Sequence, residues 1–316
     1  MDPRPASLAP TLVFPVIMGG TIALAIALLP WLGASATLSV ATGVGLLAVA
    51  VAELLWPYRG GWGRSHGDVG TDLLHAVVSG VGTTRLVRPL VALVGALTAG
   101  GLSRALGATF WPTTWPYVVQ LALALVIAEL PQYWLHRWQH EHDALWRFHA
   151  THHSAPRLYF LNAARFHPLD LALVYFVGYL PLIALGCPEE TIMLFALFDA
   201  VFGMLQHCNV DVRLGWMNRI FSMAEAHRWH HSRTVREANT NYGSNLIVWD
   251  LVFGTLFLPA DREPPEAIGI ADMPAFPTDY VGQLVSPFVW RRLPRATRAV
   301  GDEAAPELAR VASSRG

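Results

Sequence analysis

No lysine occurs anywhere in the 316 residues; all 22 basic residues are arginine, charged residues amount to 14 %, and the formal net charge is -1. A balance so close to neutrality gives no electrostatic footprint for nucleic acid, and none is expected as a partner. Only Cys187 and Cys208 are present, without CxxC spacing, so neither a disulfide framework nor an iron-sulfur cluster is encoded. A His-Pro-Gly-Gly haem string, a Gly-rich dinucleotide fingerprint and an internal repeat of fixed period are also missing. The arginine bias, with its accompanying wealth of Ala and Gly, points to a GC-rich genome.

The scarcity of charge comes with 53 % hydrophobic residues and a mean hydropathy of +0.37, the composition of a membrane protein. Thr11 to Leu32 is uncharged and long enough to cross a bilayer. Ser35 to Trp56 is a second such run carrying only Glu53, so the two predict a helical hairpin; the first is too long for a secretory signal and no cleavage site follows it. Pro57 to Asp72 is polar and Gly-rich, a surface loop. Leu73 to Gly107 is apolar, but Arg85 and Arg88 are costly at mid-bilayer, which shifts the crossing towards Pro89 to Leu102 or makes it re-entrant. His75 in this region reads as an ordinary core or surface histidine. Trp111, Trp115 and Tyr117 form an aromatic belt from which Tyr117 to Leu135 crosses again. Leu169 to Gly186 and Thr191 to Gln206, joined by Cys187-Pro188-Glu189-Glu190, predict a second hairpin. Leu246 to Leu258 is too short to span and is expected to lie against the membrane or the site, and the polar tail is expected to be mobile.

Against this background eight of the thirteen histidines fall in three short strings: His136-Arg137-Trp138-Gln139-His140, His149-Ala150-Thr151-His152-His153 and His227-Arg228-Trp229-His230-His231. At the chain's histidine content about 0.02 HxxHH strings are expected by chance, and there are two. On a helix, i and i+4 share a face with i+3 beside them, so each string presents one imidazole stripe able to grip a metal. Because a hairpin returns to the side it left, the strings on either side of it emerge on one membrane face. The arginines around them (Arg137, Arg147, Arg157, Arg165, Arg213, Arg219, Arg228, Arg233, Arg236) make that face cytoplasmic. Eight or nine imidazoles suffice for two metals, and imidazole-rich ligation suits iron, a pair of which binds and splits O2. The alternative is a zinc-dependent membrane lipid hydrolase, with three histidines and a metal-bound water as nucleophile.

These three strings, in this order around a hairpin, resemble the histidine boxes of the fatty acid hydroxylase and sterol desaturase superfamily. Phe166-His167-Pro168-Leu169, Gln206-His207-Cys208-Asn209-Val210, Asn241-Tyr242-Gly243, Trp249-Asp250 and Phe253-Gly254-Thr255 extend the likeness over roughly Glu129 to Pro259. The resemblance implies a non-haem diiron enzyme that uses O2 to hydroxylate or desaturate a sterol or fatty-acyl-type membrane lipid. Its metal ligands would be the eight box histidines (His136, His140, His149, His152, His153, His227, His230 and His231) with His207 as a ninth. Some relatives carry a further histidine where this chain has Asp211, which makes Asp211 a candidate near one metal.

Other neighbours follow from the residues themselves. Glu129 continues the face of His136 and His140 and is either functional or hydrogen-bonded to a neighbouring helix. His167 is a supporting partner of a ligand or a helix start, and Asn241 and Asp250 are candidates to orient imidazoles through their free N-H. Trp138, Trp146 and Trp229 read as interfacial anchors and packing. With no electron-carrying motif of its own, the chain needs a separate electron-transfer protein or reductase. The expected protein is therefore an all-α, polytopic membrane bundle with a cytoplasmic histidine-rich metal site, in a bacterial inner membrane. Residues 1-72 form a hairpin and surface loop, 73-259 the catalytic domain and 260-316 a polar tail.

Overall fold

Gly33 divides the first apolar stretch into two antiparallel halves. In the computed structural model, which describes residues 9-106 and 110-295, helix α1 (Ala9–Leu55) is broken only there, at φ 69° and ψ 170°, a backbone state that favours glycine. A Cβ on Gly45 would lie 3.3 Å from Thr21 Cγ2, and both ends of α1 meet the same loop, Arg213 N donating to Pro10 O and Asp211 N to Trp56 O. The predicted hairpin forms, each half about 35 Å long and able to span the hydrocarbon core. Glu53, the acid near its end, accepts from Phe160 N and Asn209 N, both at 2.8 Å, and so ties the hairpin to the loops around the histidines.

Residues 69-106 form one rod rather than a re-entrant loop: α2 (Val69–Leu74), a π-helical stretch (His75–Gly82) and α3 (Thr83–Leu106). Arg88 reaches Glu189 at 3.6 Å, which supplies a counter-charge for one of the two arginines. His75 is a satisfied core histidine, its ring nitrogens bonded to Phe166 O (3.0 Å) and Gln283 Oε1 (2.8 Å). Helix α4 (Tyr117–Glu141) starts where Trp111 Nε1 donates to Gln120 Oε1, and α5 (Asp143–His153) turns off it at His142. Helices α6 (Pro168–Ala184) and α7 (Glu189–His207) pair as expected, Tyr179 edge-on to Phe195 at 5.2 Å. A Cβ on Gly178 would stand 2.6 Å from Gln132 Nε2, so α6 crosses α4 on bare backbone. The bundle core runs along α7, where Leu194, Phe195, Leu197, Val201, Phe202 and Leu205 are all fully enclosed.

The remaining helices are short: α8 (Ala224–His230), α9 (Val235–Ala238), α10 (Val248–Phe253) and α11 (Tyr280–Val285). Helix α10 turns Leu251, Val252 and Phe253 outward beside Trp134 of α4, ring centroids of Trp134 and Phe253 being 5.0 Å apart, as suits a segment lying at the membrane boundary. Among the described residues there are no strands, only isolated bridges, and both cysteines are free and buried. Three helices, α1, the Val69–Thr98 part of the rod and α4, are long and apolar enough to cross a membrane.

Two expectations change. The stretch from residue 260, expected as a polar tail, packs onto α5 as far as Arg295: Ile270, Met273, Phe276 and Trp290 enclose Ala150, and Gly269 N donates to His231 O. Apolar residues every few positions give it a face to bury, and only 296-316, with the expected mobile end, lie outside the described residues. Secondly, Arg157, Arg165 and Arg228 are buried, not surface charges. Arg157 bonds Asp68 at 2.8 and 3.0 Å, and Arg165 bonds Asp72 at 2.5 Å, so these residues fasten the loop before α6 to α2.

Candidate metal centre

Helix α4 brings His136 and His140 to its last turns, α5 carries His149, His152 and His153, α7 ends on His207, and α8 holds His227 and His230 with His231 following. The fold draws all nine together, but in two groups that do not follow the strings. His136, His140, His149, His153 and His230 form one, and His152, His207, His227 and His231 the other; within each, the ligand-capable atoms lie within 4.8 Å of one another. Each HxxHH helix therefore serves both groups. In α5 the i and i+4 histidines face the first group and i+3 the second; in α8 the assignment is reversed, because i+3 and i+4 are about 100° apart around the helix.

Hydrogen bonds at Nδ1 hold five of the nine imidazoles. His136 Nδ1 donates to Tyr242 O at 2.7 Å and His230 Nδ1 to Thr240 O at 2.8 Å; a carbonyl only accepts, so both Nε2 atoms keep their lone pairs. Nδ1 of His149 pairs with Asp170 at 3.0 Å, that of His140 with Asn239 at 3.3 Å and that of His207 with Asn162 at 2.9 Å. All five Nε2 atoms of the first group are buried without a hydrogen-bond partner among the described residues. In the second, the Nε2 atoms of His207 and His227 approach to 2.9 Å and those of His227 and His231 to 3.0 Å. Enclosed lone pairs aimed at each other cost about 1-3 kcal/mol each unless something accepts them, and a cation is the acceptor they fit. Burial, helped by the neighbouring imidazoles, pushes His152, His153, His227, His230 and His231 well below the usual histidine range, which keeps them in the neutral, ligating form. The residues therefore suit a two-metal centre.

Several expected neighbours act differently. Asn241 and Asp250 do not bond an imidazole: Asn241 Nδ2 donates to Ala226 O and Phe257 O, while Asp250 accepts from Tyr242 N, Gly243 N and Thr255 Oγ1. They hold the strip whose Thr240 and Tyr242 carbonyls receive His230 and His136. Asn241 does this at φ 54°, a left-handed state that Asn tolerates better than most residues. His167 is a helix start, its Nδ1 accepting from Leu169 N at 3.1 Å and its Nε2 donating to Leu284 O at 3.2 Å. Asp211 stands outside both groups and accepts from Arg213 at 2.8 Å. Glu129 accepts the backbone N-H groups of Ser244 and Asn245 and locks α4 to the same strip. Of the tryptophans, Trp138 is exposed and Trp229 packs on Phe257, whereas Trp146 meets the rings of His140 at 5.2 Å and His153 at 5.4 Å.

Asp170, Asn162 and Asn239, the side chains that do bond imidazoles of the two groups, were missed. Asp170 sits in the first turn of α6, where an acid is explained by the helix dipole alone; nothing in sequence pairs it with His149, 21 positions away. Asp170 also takes the Gln139 amide, and it is 1 % exposed. Asp170→Asn is expected to lower metal affinity or turnover by about 10-100-fold without unfolding the chain, as loss of such an outer partner does elsewhere. Metal titration of the purified variant would show this, and unchanged affinity and turnover would remove Asp170 from the centre.

The profile of the fatty acid hydroxylase family matches residues 121-255, a span that holds all nine histidines. An ornithine lipid hydroxylase of Rhizobium tropici is 38 % identical over 246 residues, which covers 76 % of this chain and 72 % of that one. The human alkylglycerol monooxygenase is 30 % identical over 145 residues, 46 % of this chain and 31 % of that longer protein. A very-long-chain aldehyde decarbonylase of Oryza sativa subsp. japonica is 26 % identical over 186 residues, 58 % of this chain and 70 % of that one. No solved structure gives a significant match. With the histidine strings, the membrane-length helices and a relative matched over most of both chains, this chain belongs to the fatty acid hydroxylase and sterol desaturase superfamily, as a membrane lipid oxidoreductase of the hydroxylase type.

Proposed function

We propose that the chain hydroxylates an ornithine-type membrane lipid with O2 at a centre of two irons. His136, His140, His149, His153 and His230 would hold one, and His152, His207, His227 and His231 the other. The observation that carries this reading is the pair of convergent imidazole sets; the R. tropici relative supports the lipid class. A zinc hydrolase built on three histidines leaves most of these donors idle. When bound, two irons would supply the site at which O2 is activated, for which no side chain is suited. The protein's own residues then have three tasks: to orient imidazoles through Nδ1, as for His136, His140, His149, His207 and His230, to limit water by burying the histidines, and to present the lipid to the centre.

Presentation is from the bilayer. A cleft of about 550 Å³ lies on the outer face of α4 against α6, lined by Leu130, Pro131, Trp134, Leu135, Trp138 and Val177. Every one of these is apolar or aromatic, and Leu135 immediately precedes His136. An acyl chain can reach the level of the histidines along this cleft without leaving hydrocarbon. The lining of this cleft supports lipid access between α4 and α6.

Hydroxylation consumes R-H, O2, two electrons and two protons and yields R-OH and water, so the electrons must come from outside the chain. A separate reductase or small electron carrier would dock on the histidine face. We place that face in the cytoplasm of a bacterial inner membrane because Arg137, Arg147, Arg219 and Arg236 remain at least partly exposed there. The test is mass spectrometry of the reconstituted enzyme with ornithine lipid under ¹⁸O2 and a reductase. The expected product carries one ¹⁸O and forms only with the reductase present. An unlabelled product two hydrogens lighter would identify a desaturase, and turnover with NADPH and O2 alone would refute the separate donor.

A further inference from the structure

Outside the histidine centre, the last described segment builds a second polar site. A cleft of about 300 Å³ opens between α5 and residues 287-292, walled by Arg147, Arg291, Arg292, Phe288 and Trp290. Two of its walls carry buried donors without a partner among the described residues: the Nε of Arg147 and the Nε1 of Trp290, a residue only 3 % exposed. Among the described residues that line it there is no carboxylate. The nearby acids are engaged at its margin, Asp143 by Arg147 and Asp272 by Arg295 at 2.8 Å. The guanidinium groups of Arg291 and Arg292, the Nε that Arg147 keeps free of its pairing with Asp143, and the indole N-H of Trp290 together form a receptor for an anion.

The surroundings say where that anion comes from. Phe288 packs edge-on to Phe148 at 5.9 Å and lies 6.2 Å from the ring of His167, the residue that starts α6. The segment therefore sits at the level where α6 begins its apolar course, on which Leu169 and Leu173 are exposed. Val281, Val285 and Phe288 follow at spacings of four and three, all exposed, Phe288 by 70 %, and so form an apolar apron directly beside the cationic cleft. An apolar apron next to arginines is the pattern of a segment lying in the headgroup layer. The site is also held in place: Gln283 bonds His75, and Tyr280 Oη lies 3.3 Å from Ser79 Oγ.

We propose that this cleft binds the phosphate head group of an anionic phospholipid of the surrounding bilayer, with Val281, Val285 and Phe288 seated among the adjoining acyl chains. The lipid would dock the 280-292 segment, which forms the outer wall beside Trp146, onto the membrane. This site is separate from the histidine centre and stands or falls independently of the reaction assigned there.

The experiment is native mass spectrometry of the full chain in non-ionic detergent, exchanged against equimolar phosphatidylglycerol and phosphatidylcholine. Phosphatidylglycerol is expected to be retained about tenfold over phosphatidylcholine, and the Arg291→Gln/Arg292→Gln double variant to bring the two close to parity. Equal retention by the unaltered chain, or selectivity that survives the double variant, would overturn the proposal. So would displacement of phosphatidylglycerol by inorganic phosphate but not by chloride of equal ionic strength, which would make this a free-anion site. A second measurement guards against misfolding of the variant. Phe288→Cys can be labelled selectively because Cys187 and Cys208 are buried. A fluorophore there should be quenched by brominated acyl chains in phosphatidylglycerol-containing nanodiscs, and a label that stays in water would refute the seating.

Discussion

His227→Ala is expected to lower bound iron from two ions per chain to one and to take lipid turnover to background. The group containing His227 has four imidazoles and the other has five, so its loss leaves only three donors in the smaller set. His227 is also the hub of that set, its Nε2 being 2.9 Å from that of His207 and 3.0 Å from that of His231. His140→Ala, which leaves four donors in its group, is expected to keep more metal than His227→Ala while still losing activity. Elemental analysis of the two purified variants beside the unaltered chain decides the matter. Two ions retained in His227→Ala would dissolve the proposed partition, and a single zinc unaffected by either change would favour the hydrolase.

Asp72→Ala is expected to cost about 3-5 kcal/mol of stability, the range for removing one partner of a buried ion pair. Asp72 is fully enclosed and accepts from Arg165 Nε at 2.5 Å and from Tyr159 Oη at 2.6 Å. Truncation leaves a guanidinium, itself 2 % exposed, without its counter-charge in the loop that also supplies Asn162 to His207. Asp72→Asn, which keeps the side-chain shape and one acceptor oxygen, should lose less. Chemical unfolding in detergent followed by tryptophan fluorescence would measure both. A loss under about 1 kcal/mol for Asp72→Ala would show that water solvates Arg165 and that the loop is not anchored this way.

The helices and the eight histidines of the three strings were legible in the sequence because both obey short-range rules, whereas His207 was reached only through the family resemblance. An apolar run of about twenty residues has few ways to satisfy its backbone other than as a helix, and imidazoles three and four apart share a stripe whatever surrounds them. The hairpin of α6 and α7 was readable from its turn residues, and it alone required the two halves of the site to meet. The partners of the ligands were not readable. Asp170 and His149 are 21 positions apart, Asn239 and His140 are 99 apart, and Asn162 and His207 are 45 apart. No period links such pairs, and each residue has an adequate local explanation.

Tertiary structure also decided how the imidazoles divide. Spacing placed His149, His152 and His153 on one stripe, but the stripe is about 100° wide between i+3 and i+4, wide enough to face two centres. Which centre each edge faces depends on how α5 and α8 are rotated against α4 and α7. That rotation is set by packing: Glu129 and Asp250 fixing the strip at 241-245, the bare backbone of Gly178 against Gln132, and the segment after residue 260 folded onto α5. The sequence by itself determined the helices, their membrane lengths and the imidazole stripes, since these depend on residue type and local spacing. The two-centre arrangement, the outer partners and the pairing of Arg157 and Arg165 with Asp68 and Asp72 arose only where distant segments exclude water together, because a buried charge or lone pair must find its partner in space rather than along the chain.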